Sequence, residues 1–314
     1  MVFDRLPTSA KLVEVGLRDG LQAVSQFVST DHKLELLHGI LDSGVTTVEI
    51  TSFAHPKVLP QFSDAERIIA EAPRRDGVHY KALVPNVRGA QRACETQIEE
   101  IVAIIPVDRD MAAKNQNSTP ERLLHDFASI VAQGHLSGKT VSAAVATAFF
   151  APCHGAIDTA QLDAVVERVV DAGADSLYLA GTSGVEIPNE FYDGVRRVKS
   201  RYPAVPVGVH LHNRNGFGTV NALASLSAGA DWIEASFGGL GGDMWFPGDP
   251  SVLGNAPMED VVALLDSLGI ETGVDLEAYL AMVRTSEGYT GTPSYSFVSR
   301  GGTRQQLADA QWPV

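Results

Sequence analysis

The chain of 314 residues is 45% hydrophobic and 20% charged, enough apolar matter for one large core and too little charge for a disordered chain. Its 24 Lys and Arg against 38 Asp and Glu give a formal charge of −14, a field that repels a phosphate backbone and excludes nucleic acid as the expected partner. Cys94 and Cys153 are too far apart for a disulfide framework or zinc spacing, the start MVFDRLPTSAKLVEV lacks a signal peptide's apolar stretch, and no apolar run is long enough to span a bilayer. The expectation is a protein of the reducing cytoplasm, neither secreted nor embedded in a membrane.

Taken in chain order, Leu12–Val15 is the first apolar run of strand length, and the polar segment Gly16-Leu-Arg-Asp-Gly-Leu-Gln follows it. Lys33 to Leu41 carries helical apolar spacing and ends at Gly44, after which Thr47–Ile50 reads as a strand. Further strands are predicted at Tyr80–Pro85, Ile101–Pro106 and Val141–Phe150. A helix through Leu162 to Val170 stops at Gly173 before a strand at Ser176–Leu179. The strand Val205–His212 and a helix end at Gly229 lead to the last strand, Trp232–Ala235. Eight strands alternating with helical segments point to the α/β class and a closed (β/α)8 TIM barrel. A doubly wound open sheet is the competing architecture, but the segment after the first strand is not a dinucleotide-binding glycine fingerprint. The barrel is assigned to residues 1–283. Residues 284–314, where periodicity is weakest, form a short C-terminal extension or a contact between copies of a homo-oligomer.

Barrel active sites form where strands end, so the polar residues there are the candidates: Arg18 and Asp19, Glu49 and Thr51, Asn86, His210 and His212, Glu234 and Ser236. His210 and His212 are two apart on a strand, so their imidazoles share a face, and with the carboxylate of Asp19 they make a common donor set for a divalent cation. The competing reading is two histidines hydrogen-bonded in a polar barrel end. Arg18 offers a fork of donors to a carboxylate or an enolate oxygen. Gln22, Thr51, Asn86, Ser236 and Trp245 are the expected substrate contacts. The glycines from Gly238 to Gly242, followed by Asp243, Trp245 and Phe246, suit either a lid over the substrate or a plain surface loop. Asn255 could add a neutral oxygen to the cation's ligands. Lys114 and Arg300 read as solvated surface charge rather than as a phosphate clamp.

Together Val13-Glu-Val-Gly-Leu-Arg-Asp-Gly-Leu-Gln, Glu49-Ile-Thr-Ser-Phe-Ala-His-Pro-Lys-Val-Leu-Pro-Gln, His210-Leu-His-Asn, Gly239-Leu-Gly-Gly and Gly254-Asn resemble the DRE-TIM metallolyases, and within them the 3-hydroxy-3-methylglutaryl-CoA lyases. The resemblance runs from about Val13 to about Gly273. It implies that Asp19, His210, His212 and Asn255 bind Mg²⁺ or Mn²⁺, that Arg18 stabilises an enolate, and that Glu49 is an acidic residue of the catalytic site. The implied activity is metal-dependent carbon–carbon cleavage of a 3-hydroxy-3-substituted acyl-CoA, or a related hydroxy acid, to acetyl-CoA and a keto acid. Three positions depart from the family pattern: Asp243 stands where the loop cysteine that takes part in proton transfer is typical, Gly181 where a second acidic residue is, and Ser25 where a lysine is. Two alternatives remain open, an acyl-CoA:2-oxoacid condensing enzyme or aldolase on the same metal site, and a catalytically inactive barrel acting as a binding protein.

Overall fold

The computed structural model describes residues 6–242 and 254–312. The strands, in chain order, are β1 (Leu12–Glu14), β2 (Thr47–Ser52), β3 (His79–Val84), β4 (Glu100–Pro106), β5 (Thr140–Ala146), β6 (Phe150–Ala151), β7 (Gly155–Ala156), β8 (Ser176–Gly181), β9 (Val207–Leu211) and β10 (Trp232–Ala235). All but β6 and β7 pair in parallel and close into a barrel in the order β1-β10-β9-β8-β5-β4-β3-β2. The predicted TIM barrel is therefore the observed fold.

Strand alternation splits the apolar residues into two compartments. Val48 and Ile50, Ala82 and Val84, Leu177 and Leu179, and Val207 and Val209 belong to the main core beneath the helices. A second cluster, built on Val13, Val15, Val102, Ala144, Tyr178, Ala180 and Trp232, fills part of the barrel interior. Between the strands run α1 (Thr30–Asp42), α2 (Ala65–Glu71), α3 (Val87–Cys94), α4 (Arg109–Gln116), α5 (Pro120–Leu136), α6 (Thr159–Asp171), α7 (Pro188–Arg201) and α8 (Gly218–Ala228), with α9 (Met258–Ser267) after the last strand. Helices α1, α6 and α8 end as the sequence indicates. Ser29 and Thr119 cap α1 and α5 through their hydroxyls, and Gly44, Gly173 and Gly229 take positive φ after α1, α6 and α8.

One expected strand is interrupted. The run Val141–Phe150 leaves the barrel at Thr147, which has φ 48°, and Phe150–Ala151 pairs instead with Gly155–Ala156 in a small antiparallel hairpin. Thr147 is worth that backbone cost because it ties three loops. Its amide donates to Thr182 Oγ1 at 2.7 Å, and its Oγ1 accepts from the Asp108 amide at 3.2 Å. At the C-terminal end, α10 (Leu276–Thr290) runs across position 283, and α11 (Phe297–Gly301) and α12 (Arg304–Asp309) follow. Asp260 of α9 fastens α11, accepting from Ser296 Oγ at 2.6 Å and from the amides of Phe297 and Val298 at 3.1 and 2.9 Å. Among the described residues no helix is long and apolar enough to cross a membrane.

Two buried glutamates brace the turn that follows β10. Glu14 Oε1 accepts from the amides of Gly16 and Phe237 at 2.5 and 3.1 Å, and Tyr279 donates to its other oxygen. Glu259 accepts from the Gly238 amide at 3.2 Å and from Ser294 Oγ at 3.1 Å. Burial, with the Asp260 charge added, raises the Glu259 carboxyl from 4.5 to about 8. Between those values the unfolded chain releases a proton that the native state keeps, so this group's contribution to stability is present below about 4.5 and is lost as pH rises toward 8. Glu259→Gln should remove that dependence. Melting curves from pH 5 to pH 9 are expected to show the natural protein losing on the order of 4 kcal/mol relative to the variant; parallel curves would contradict the assignment.

Candidate active site

The C-terminal end of β1 opens into a wide helical turn, Gly16–Gly20, in which the amides of Arg18, Asp19 and Gly20 all point to the Val15 carbonyl, at 3.1, 2.7 and 3.3 Å. Such π-type turns are uncommon and recur at functional sites. This one sets two adjacent charged side chains inward. Arg18 is 5% exposed and bridges two carboxylates, with Nε 2.7 Å from Glu49 Oε2 and Nη1 2.5 Å from Asp19 Oδ1. Burial resists ionisation of Asp19, but the Arg18 guanidinium and the two histidines outweigh it and hold the carboxyl well below its usual range. Glu49 lies deeper. Burial dominates there and raises its carboxyl to about 7 despite Arg18, and the nearby Glu234 charge adds to the rise.

His210 and His212 project from β9 and its end, as the two-residue spacing predicts. Each spends its Nδ1 on a support: His210 on Glu234 Oε2 at 3.1 Å, His212 on the Thr182 carbonyl at 2.7 Å. Because a carbonyl only accepts, His212 carries a proton on Nδ1, and that bond turns Nε2 toward Asp19. The two Nε2 atoms stand 4.0 and 3.6 Å from Asp19 Oδ2. Asn255 reaches the same point because its backbone pairs with that of His212 at the barrel rim. Its Nδ2 donates to Asp19 Oδ2 at 2.6 Å and to the Leu240 carbonyl at 2.9 Å, while its buried Oδ1 has no partner. Two imidazoles, a carboxylate and an orphaned amide oxygen fit a divalent cation that accepts nitrogen and oxygen donors. The ligand atoms of Asp19, His210 and His212 lie within 4.8 Å of one another, which one ion could span.

Close approach explains the glycines at the rim. A Cβ on Gly241 would stand 2.2 Å from Asn255 Nδ2 and 2.7 Å from Asp19 Oδ2, so only a residue without a side chain lets the loop backbone cover the carboxylate. Asp243, Trp245 and Phe246 lie outside the described residues.

Beneath the histidines is a support that sequence motifs did not reveal. Glu234 takes His210 on one oxygen and Lys81 on the other, with Lys81 Nζ at 2.9 Å and the Trp232 indole N–H at 3.2 Å. Lys81 continues to Glu100 at 3.4 Å. Burial alone would raise the Glu234 carboxyl, but Lys81 and His210 hold it below its usual range. Lys81 sits inside a short apolar strand with no motif around it, and only its even spacing from Leu83, which lines the cavity, marks it as inward-facing.

A cavity of about 520 Å³ opens above these groups. Arg18, Asp19, Gln22, Asn86, His210 and His212 line it, as the sequence indicated, although the Asn86 Oδ1 also caps α3 by accepting from the Gly89 amide at 3.0 Å. Thr51 and Ser236 do not line it. Both are buried, and Ser236 Oγ is used in a 2.6 Å hydrogen bond to the Leu240 carbonyl, so its task is to hold the turn after β10. Lys114 stands exposed on α4 at the cavity mouth, whereas Arg300 is turned to the carbonyl of Ser296. At Gly181, a Cβ would meet Phe191 at 2.6 Å and a carboxylate oxygen of Glu186 at 3.2 Å. Glu186 is 1% exposed and accepts from the Ser183 amide at 3.0 Å, and burial raises its carboxyl above the usual range.

Fold and site together define a DRE-TIM barrel with a two-histidine, one-carboxylate centre at its mouth. A family model described as HMGL-like matches residues 9–285, and the chain belongs to that family. It is 30% identical to the (R)-citramalyl-CoA lyase of Chloroflexus aurantiacus over 93% of this chain and 94% of that protein. Identity to the hydroxymethylglutaryl-CoA lyase of Bacillus subtilis is 31%, covering 91% of this chain and 95% of that one. Among solved structures, the HMG-CoA lyase of Acinetobacter baumannii in complex with coenzyme A and 3-methylmalate superposes with a TM-score of 0.90 at 30% identity, covering 98% of each chain.

The hydrogen bond that His210 Nδ1 donates to Glu234 generates a direct test. Glu234→Gln keeps the shape and removes the charge, and it is expected to weaken Mn²⁺ binding by about 10- to 100-fold in calorimetric titration. Unchanged affinity would show that Glu234 does not tune this imidazole.

Proposed function

We propose that this protein is a divalent-metal-dependent carbon–carbon lyase that cleaves a 3-hydroxy-3-substituted acyl-CoA to acetyl-CoA and a keto acid. The observation that supports it most strongly is the convergence of Asp19, His210 and His212 beside the Arg18 guanidinium in one cavity at the ends of the strands. A bound divalent cation would supply Lewis-acid polarisation of the substrate's oxygens, and Asp19, His210, His212 and Asn255 would hold it.

The remaining chemistry belongs to the chain. Arg18 spends Nε and Nη1 on its two carboxylates, which fixes the plane of the guanidinium and leaves Nη2 for the thioester oxygen as negative charge gathers there. Glu49 anchors that plane from below. The proton that leaves the 3-hydroxyl and the one that reaches the acetyl carbon need an acid–base group at the mouth, and Asp243, in the place of the family's cysteine, takes that role in this reading. Its carboxyl must be raised by roughly three units from its ordinary value to hold a proton near neutral pH. Asp243→Asn should lower kcat by about 100- to 10,000-fold with little change in KM.

Acetyl-CoA release from a panel of 3-hydroxy-3-alkylglutaryl-CoA thioesters and citramalyl-CoA, with Mg²⁺ or Mn²⁺ and again after chelation, tests the whole reading. Cleavage that stops on chelation and returns with metal is the expected result. Arg18→Met should reduce kcat by about 100- to 1,000-fold under the same conditions. If no thioester is cleaved while acetyl-CoA is consumed with a 2-oxoacid, the lyase reading gives way to a condensing enzyme on the same centre.

A further inference from the structure

The cavity has two unlike walls. Polar side chains such as Gln22, Asn86 and Lys114 line one part of it, whereas the barrel-strand wall is mostly apolar: Leu83 of β3, Ile104 of β4, Ala144 and Ala146 of β5, and Ala180 and the ring of Tyr178 on β8, with Thr182 as a polar exception beyond Ala180. Barrel interiors of this kind are usually filled by bulky branched side chains from every strand. Here two neighbouring strands present three alanines between them, and space is left where valine, isoleucine or leucine would close it.

Charge points the same way. Among the described residues lining the cavity, Lys and Arg are represented by Arg18 and Lys114 alone. Arg18 is committed to Asp19 and Glu49, and Lys114 is exposed at the mouth. Lys81, the other buried cation nearby, is held by Glu234 and Glu100. A carboxylate placed against the alanines would lose its water without gaining a partner, whereas a hydrocarbon would gain by leaving water.

From this we infer that one branch on the hydroxyl-bearing carbon of the substrate is a hydrocarbon chain or ring larger than methyl, seated against Ile104, Ala144, Ala146 and Ala180. The inference rests on the lyase reading above and narrows its substrate to tertiary 3-hydroxyacyl-CoAs with a bulky apolar branch. The bond that breaks is unchanged: the carbon bearing the hydroxyl becomes a ketone that keeps the branch, and the two-carbon thioester leaves as acetyl-CoA carrying the hydroxyl proton.

A graded series decides it. With 3-hydroxy-3-alkylglutaryl-CoA substrates running from methyl through propyl to hexyl, kcat/KM is expected to rise about threefold to fourfold for each methylene until the wall is reached. Ala144→Leu should lower the ratio of kcat/KM for hexyl over methyl by at least tenfold, and Ala180→Val should do the same if the leucine variant fails to fold. A best rate on the methyl compound, or a ratio that neither variant moves, would overturn the inference while leaving the lyase reading intact. If no member is cleaved, the lyase reading falls, and binding of the unreactive 3-alkylglutaryl-CoA thioesters judges the pocket by itself. Affinity that tightens with chain length supports the apolar branch; affinity independent of length refutes it.

Discussion

A guanidinium shut away from water organises the mouth of this barrel. Arg18 is bonded to Asp19 on one side and Glu49 on the other, and a buried charge of this kind persists only where partners compensate the water it has lost. Its grip on Asp19 Oδ1 turns Oδ2 toward both histidines and Asn255. Lys81 does the equivalent one layer down, where it fixes Glu234 and through it the ring of His210. Arg18 and Lys81 thus set two positive charges against the four carboxylates of Asp19, Glu49, Glu234 and Glu100. Burial, with the Glu234 charge added, raises the Glu49 carboxyl to about 7 although an arginine touches it. A divalent cation beside Asp19 would relieve that imbalance, which is a physical reason, separate from any family likeness, for the donor set found there.

Much of this was legible in the chain. Strand alternation and glycine-stopped helices specify the eight-fold barrel, and His210 and His212 declare their shared face by spacing alone. Asp19 was recoverable because a barrel brings strand ends together wherever they fall in the sequence. What was not legible depends on partners distant in the chain. Lys81 and Glu234 are 153 positions apart, and neither carries a local motif. Thr147 lies in an apolar run that reads as continuous strand, and its break becomes visible only once Asp108 and Thr182 are beside it. Ser236 lies off the cavity lining: strand parity turns it inward, but its hydroxyl donates to the nearby Leu240 carbonyl.

The packing at Gly181 shows why no side chain stands there. Phe191 and Glu186 occupy the space that a side chain at 181 would need, and the Glu186 carboxylate is held there by the Ser183 amide. The alanines of β5 and β8 carry a complementary lesson. Small residues leave no motif, yet they shape the cavity as strongly as the charged residues shape its rim.

The central claim is that Asp19, His210 and His212 form one divalent-cation centre. Electron–nuclear double resonance on the protein loaded with one equivalent of Mn²⁺ tests it most directly. The account predicts couplings from two imidazole nitrogens, one of which disappears in His210→Ala. A spectrum of fully hydrated Mn²⁺, or one without nitrogen couplings in the natural protein, would contradict it.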